Sequence, residues 1–124
     1  MIIKINDESE TPIYMQIRNQ VVMGISDGSL EPGAQLPTVR ALATEIGVNT
    51  MTVSKAYQLL KSEGYIVSDR RSGARVKKDF SFDKGMSQEN KEILRKIASE
   101  ARVKGMTKQE FIEKCQRAYK GEEL

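Results

Sequence analysis

Residues 36–66 read LPTVRALATEIGVNTMTVSKAYQLLKSEGYI, and Gly47-Val48-Asn49 in the middle constrains the fold more than any other feature. Before it, Val39, Leu42, Ala43 and Ile46 recur at helical spacing behind Thr38, a natural N-cap; after it, Val53, Ala56, Tyr57 and Leu60 do the same up to Gly64. The first run is too short to stand as a helix alone, so its apolar side has to be buried against a neighbour. Gly47 closes one helix, Val48 plugs the turn, and Asn49 or Thr50 caps the next. Two helices joined by a tight turn containing Gly form a helix-turn-helix.

The outer side of the second helix carries hydroxyls, an amide and a lysine where a solvated helix would carry Glu and Lys pairs. At about 100° per residue, Met51, Lys55, Gln58 and Ser62 lie opposite the apolar stripe, flanked by Thr50, Ser54 and Thr52. Set into a DNA major groove, this helix would offer Asn49, Thr50, Met51, Thr52, Ser54 and Lys55 to base edges and flanking phosphates. Arg40, early in the preceding helix, would reach a phosphate or a groove-edge base. Thr38 and Asn49 are caps first and DNA contacts second.

Tyr65-Ile66-Val67 and Ala74-Arg75-Val76-Lys77 read as strands around the turn Arg70-Arg71-Ser72-Gly73. A hairpin directly after a helix-turn-helix is the wing of a winged helix, and Arg70, Arg71 and Ser72 at its tip suit a backbone or minor-groove contact. Charge is concentrated on the same segment. Residues 37–78 hold eight bases against three acids, a net +5, whereas residues 1–36 are at −3 and the remainder, from Asp79, at +1, for a whole-chain total of +3. Such a distribution is an electrostatic footprint for a polyanion.

On the N-terminal side, an extended start over residues 1–5 leads to Thr11-Pro12, with Thr11 predicted as cap and Pro12 as first helical residue. Ile13, Ile17, Val21 and Ile25 then mark a helix that stops at Gly28. Leu30 and Leu36 flank a Pro32-Gly33 turn. On the C-terminal side, residues 79–86 read as a linker in which Phe80 and Phe82 pin the chain. Ser87 caps a helix marked by Ile93, Leu94, Ile97 and Ala101 up to Gly105, and Thr107 with Glu110 forms a capping box for a last helix marked by Phe111, Ile112 and Cys115. A hairpin of two amphipathic helices buries its apolar faces poorly by itself. These seven residues are therefore the expected dimerisation surface, with a fold back onto the chain's own winged domain as the alternative.

The remaining composition argues mainly by exclusion. There is no histidine and one cysteine, so neither an intrachain disulfide nor a thiolate or imidazole metal site is expected. Cys115 is expected as a small buried hydrophobe. No nucleotide-binding, metalloprotease or nucleophile-elbow motif occurs, so no cofactor and no enzymatic activity are expected. No apolar run approaches the roughly 20 residues of a membrane span, and the first residues lack a signal-peptide pattern, which places the expected site of action in the cytoplasm.

These residues have a familiar order. PIYMQI, then GSLEPGAQLPTVRALATEIGVNTMTVSKAYQLLKSEGYI, then the wing, resemble the N-terminal DNA-binding domain of GntR-family bacterial transcription regulators, from about Pro12 to Val76. The resemblance implies a winged helix-turn-helix that binds operator DNA as a dimer, with Arg40, Thr50, Thr52 and Ser54 at contact positions and Gly73 at the second glycine of the wing. Arg71 and Arg75 stand where the family's wing has its first glycine and a phenylalanine. Thr50 and Ser54 stand where many relatives carry arginine, which implies a different operator. After Val76 the chain is similar to the YtrA branch, where two C-terminal helices serve dimerisation and the regulated genes often encode transporters.

The expectation is thus a mainly α chain with a small β-hairpin: a winged helix-turn-helix over residues 1–78, a linker over 79–86 and a two-helix dimerisation region over 87–124. Its partners would be a double-stranded DNA operator, a second copy of itself and a small-molecule effector of undeclared chemistry, with no membrane among them. Its activity would be that of a repressor on a palindromic operator. A protein-interaction module that uses the winged helix only as a scaffold is the rival that fold alone leaves open.

Overall fold

The structure, a computed structural model, describes residues 1–82 and 85–124, so Asp83 and Lys84 of the expected linker lie outside the described residues. The chain divides into two compact units, Met1–Phe80 and Ser81–Leu124.

The first unit orders its elements as α1 (Ile13–Asp27), α2 (Val39–Ile46), α3 (Thr50–Ser62), β1 (Ile66–Asp69) and β2 (Gly73–Val76). Local signals set most of these bounds. Thr38 caps α2 by accepting the Ala41 N–H at 3.0 Å, and Asn49, rather than Thr50, caps α3 by accepting the Met51 N–H at 2.7 Å. Gly64, with φ +87°, ends α3 in a Schellman turn: the Tyr65 N–H donates to the Leu60 carbonyl at 3.0 Å and the Gly64 N–H to that of Lys61 at 3.2 Å.

The start of α1 differs from expectation. Pro12 is itself the N-cap, and no side chain caps the helix. Thr11 is already engaged by its backbone: its N–H donates to Ser9 Oγ and its carbonyl accepts from Gln16 Nε2. Residues 1–6, which precede a turn at Asp7–Glu8, form no strand. Two glutamines on α1 take the place of a neighbouring strand: Gln16 exchanges hydrogen bonds with both backbone groups of Asn6, and Gln20 with both of Lys4. The spacing makes this work, because four residues of helix rise about 6 Å and two extended residues span about 6.6 Å.

The core gathers one face from every element of this unit. Ile17 and Val21 of α1, Leu42 of α2, Val53 and Leu60 of α3, and Ile66 and Val76 of the hairpin are almost wholly buried, with Leu30 and Leu36 packed around them. Val48 is partly buried against the same cluster, as a turn plug should be. The hairpin is antiparallel, with Ile66 opposite Val76 and Asp69 opposite Gly73, so its strands reach closer to the tip than the apolar residues indicated. A single bridge between Gln35 and Arg75 adds a third, one-residue edge, held by Leu36 N–H to the Ala74 carbonyl at 2.9 Å and Val76 N–H to that of Ala34 at 2.8 Å.

The second unit is a helical hairpin, α4 (Gln88–Val103) and α5 (Lys108–Lys120). Ser87 caps α4, and Thr107 with Glu110 forms the expected capping box on α5. Neither helix buries a residue fully. Ala98, Ala101 and Phe111 are partly covered where the helices meet near their connection. Cys115, expected to be buried, is exposed. The partly covered residues of α5 are Phe111, Lys114 and Arg117, one turn apart, and Cys115 lies off that line. Among the described residues no helix is long and apolar enough to cross a membrane, and no group of residues is arranged to hold a metal ion.

Candidate nucleic-acid interface

The helix-turn-helix and the hairpin enclose a groove of about 310 Å³ whose polar rim is Thr38 from the start of α2, Ser54, Gln58 and Lys61 from α3, and Ser68 and Gly73 from the hairpin. Its floor is Val39, Tyr57, Ile66 and Ala74. Tyr57 holds two walls together, since its ring is buried at 7% exposure and its hydroxyl donates to the Pro37 carbonyl at 2.8 Å. Burial, and to a lesser extent the Glu45 carboxylate, push the Tyr57 phenol well above its ordinary pKa, so it stays a hydrogen-bond donor.

Beside this groove, Met51, Thr52, Ser54, Lys55 and Gln58 border a second concavity, with Tyr14 of α1 on its far side. Thr50, Met51, Lys55 and Gln58 are exposed, and Thr52 and Ser54 partly so. Ser54 Oγ accepts from Gln58 Nε2 at 3.2 Å, which leaves its own proton to donate outward. Thr38 Oγ1 and Asn49 Oδ1 are occupied as caps, leaving the Thr38 hydroxyl proton and the Asn49 amide N–H groups for a ligand. Asn49 and Thr52 also border a depression on the side of the N-terminal segment.

The wing tip is closed by Asp69. Its Oδ1 accepts the N–H groups of Arg71 and Ser72 at 2.8 and 2.6 Å, and its Oδ2 accepts the Ser72 hydroxyl at 2.6 Å. The Ser72 hydrogen bonds hold the Asp69 carboxyl below its usual range. Gln35 Nε2 donates to the Ser72 carbonyl at 2.6 Å from below. Arg71 therefore needs no glycine-like backbone: among the described residues only glycines have positive φ, and in this hairpin that residue is Gly73 at +67°. The turn presents Arg70 and Arg71 outward, both exposed.

No ion pair among the described residues neutralises the cations of this surface. Among the described residues the ion pairs are Arg18 with Glu63 and Lys96 with Glu100. The side chains of Arg40, Lys61, Arg70 and Arg71 are in neither, and Lys55 lies over the Tyr14 ring. Hydrogen-bond donors along the groove, with Lys61 on its rim and exposed arginines on α2 and the wing tip, make a surface suited to phosphates and base edges.

Residues 13–76, just over half the chain, match the family of bacterial regulatory proteins called gntR. The chain belongs to the GntR family. Its members are winged helix-turn-helix, DNA-binding transcription regulators, and the winged unit described above is that domain. Over 106 residues, 84% of this chain and 82% of the relative, the sequence is 38% identical to the HTH-type transcriptional repressor YtrA of Bacillus subtilis (strain 168), which makes this a YtrA-like GntR regulator. The fold is similar to the crystal structure of a transcriptional antiterminator from Listeria monocytogenes EGD-e, with TM-score 0.83 and 27% identity over 100% of this chain and 96% of that one. It is also similar to AraR(DBD) in complex with operator ORX1, with TM-score 0.52 and 29% identity over 59% of this chain and 90% of that one.

Of the expected contact residues, the GntR domain brings Thr38, Ser54 and Gly73 to the groove and Met51, Thr52, Ser54 and Lys55 to the adjoining concavity, with Arg40 exposed in the first turn of α2. Sequence reasoning missed Lys61, Ser68, Gln35 and Tyr14. Lys61 and Ser68 are ordinary surface residues by sequence, and only the return of the hairpin beside α3 makes them neighbours.

Proposed function

We propose that this GntR-family chain is a repressor that binds a palindromic operator as a homodimer, with α3 in the major groove, Thr38 and Arg40 on the flanking backbone and the wing tip on the next phosphates or the minor groove. The observation that carries the reading is the groove between α2, α3 and the hairpin, lined by the donors Thr38, Ser54, Gln58, Lys61 and Ser68, on a domain whose Arg40, Arg70 and Arg71 are exposed and in no ion pair among the described residues. The 38% identity to a repressor, YtrA, and the likeness to an operator-bound domain support it.

Residues 1–78 are the DNA-binding domain in this reading and residues 87–124 the dimerisation region. Ile93, Leu94, Ile97 and Ile112 are 48, 42, 49 and 43% exposed, and the first three form one stripe on α4. A second copy that covers these side chains would remove them from water and set two recognition helices for a two-fold site. Ala101 and Phe111, partly covered where the two helices meet, and the exposed Cys115 complete the surface in this reading. The resemblance to the YtrA branch extends the proposal to control of a transporter operon in the cytoplasm, released by a small-molecule effector.

Selection of bound sequences from a random duplex pool, followed by anisotropy titrations on the recovered site at several salt concentrations, tests the core of this. If Arg40, Lys61, Arg70 and Arg71 of both protomers meet phosphates, log Kd should change with log salt with a slope of about 7. A recovered sequence without two-fold symmetry, or binding indifferent to salt, would overturn the proposal.

A further inference from the structure

Tyr14 lies on α1, one turn before the buried Ile17 and on the face by which α1 packs against α3. Its ring reaches the exposed side of the recognition helix, where the Lys55 ammonium sits 4.1 Å from the ring centroid. Lys55 has no carboxylate within salt-bridge distance among the described residues. The two side chains form one edge of the concavity of about 460 Å³ that Met51, Thr52, Ser54 and Gln58 complete. A lysine on an exposed helix face normally samples many rotamers, and an aromatic face under its ammonium restricts it to few.

We propose that Tyr14 is a positioning residue for operator recognition: it holds the Lys55 ammonium at the mouth of this concavity, where it donates to the O6 and N7 acceptors of one guanine in each half-site. This rests on the operator-binding reading and deepens it. Lysine is a flexible point charge with no fork geometry of its own, so base selectivity from it requires something else to fix its position. Tyr14 supplies that from a different element, and Met51 and Thr52, with their methyl groups, form the rest of a pocket that admits a base edge.

The test uses the full chain on its selected operator, with Y14L, Y14F, K55M and the Y14L/K55M pair, and with each G·C pair of the half-site changed in turn to A·T. Y14L should weaken operator binding by about two- to tenfold per half-site, the cost of ordering on binding a lysine side chain that the ring no longer holds. It should relax discrimination at the same base pair as K55M while leaving the salt slope unchanged. Y14F, which keeps the ring, should behave as wild type, and the double variant should be no worse than K55M alone. In the DNA-free protein, the Lys55 ε-methylene protons should be shifted upfield by the ring in wild type and Y14F and not in Y14L, a readout independent of operator affinity. Additive losses from Y14L and K55M, relaxation at different base pairs, a Y14F as impaired as Y14L, or an unshifted Lys55 in the wild type would each overturn the assignment. A wild type that selects no duplex at all would instead overturn the operator-binding reading, and that failure appears before any variant is made.

Discussion

Tyr57→Phe isolates a single hydrogen bond that joins the body of α3 to the start of α2. The Tyr57 ring is buried at 7% exposure and its hydroxyl donates to the Pro37 carbonyl at 2.8 Å, one residue before the Thr38 cap. Phenylalanine keeps the packing and loses the bond, which is worth about 1 kcal/mol net. For a folding unit the size of Met1–Phe80, that corresponds to a Tm lower by about 4–8 °C. The pH dependence gives a second, sharper signature. Burial first, then Glu45, raises the Tyr57 pKa in the native state, so the folded protein binds this proton more tightly than the unfolded chain does. The associated stability is fully present below the unfolded value of about 10 and is lost as pH rises above it. Wild type should therefore lose stability more steeply than the variant above about pH 10, and the gap between them should narrow. Urea midpoints measured from neutral to alkaline pH read both effects. A variant as stable as wild type at pH 7, or two curves that stay parallel into the alkaline range, would refute the reasoning.

Three further outcomes are expected. Arg18 grips Glu63 through Nε and Nη2 at 2.9 and 3.0 Å, with the two side chains 21% and 34% exposed; a double-mutant cycle of Arg18→Met and Glu63→Gln should show a coupling of about 0.5–1 kcal/mol at low salt, and no coupling there would reduce the pair to a surface ornament. Arg40→Ala should weaken operator binding by a similar factor on every sequence and lower the salt slope of the dimer by about 2 units, whereas an unchanged slope would take Arg40 off the backbone. Ile97→Glu, on the exposed stripe of α4, should shift sedimentation velocity from dimer to monomer while the winged unit keeps its thermal transition; a variant that still sediments as a dimer would move the interface elsewhere.

Local chemistry was legible wherever partners lie within a few residues of each other. Thr38, Asn49, Ser87 and the Thr107–Glu110 box announced their helices because a cap and the N–H it accepts are two or three positions apart. The core stripes of α2 and α3 and the plug at Val48 were readable for the same reason. Two local readings failed: the N-cap of α1 is Pro12 and not Thr11, and α4 covers too little of α5 to bury Cys115.

The sequence by itself determined the helix-turn-helix, the hairpin behind it, the polar outer face of α3 and the basic segment that surrounds it, all properties of periodicity, capping and charge along the chain. Tertiary structure alone decided what those pieces do to one another. Gln16 and Gln20 secure the N-terminal segment, Gln35 supports the wing tip, Lys61 and Ser68 meet across a groove, and Tyr14 fixes Lys55 across 41 positions of sequence. Each pairing depends on where two elements come to rest, and the mutual burial that sets those positions leaves no local pattern in the chain.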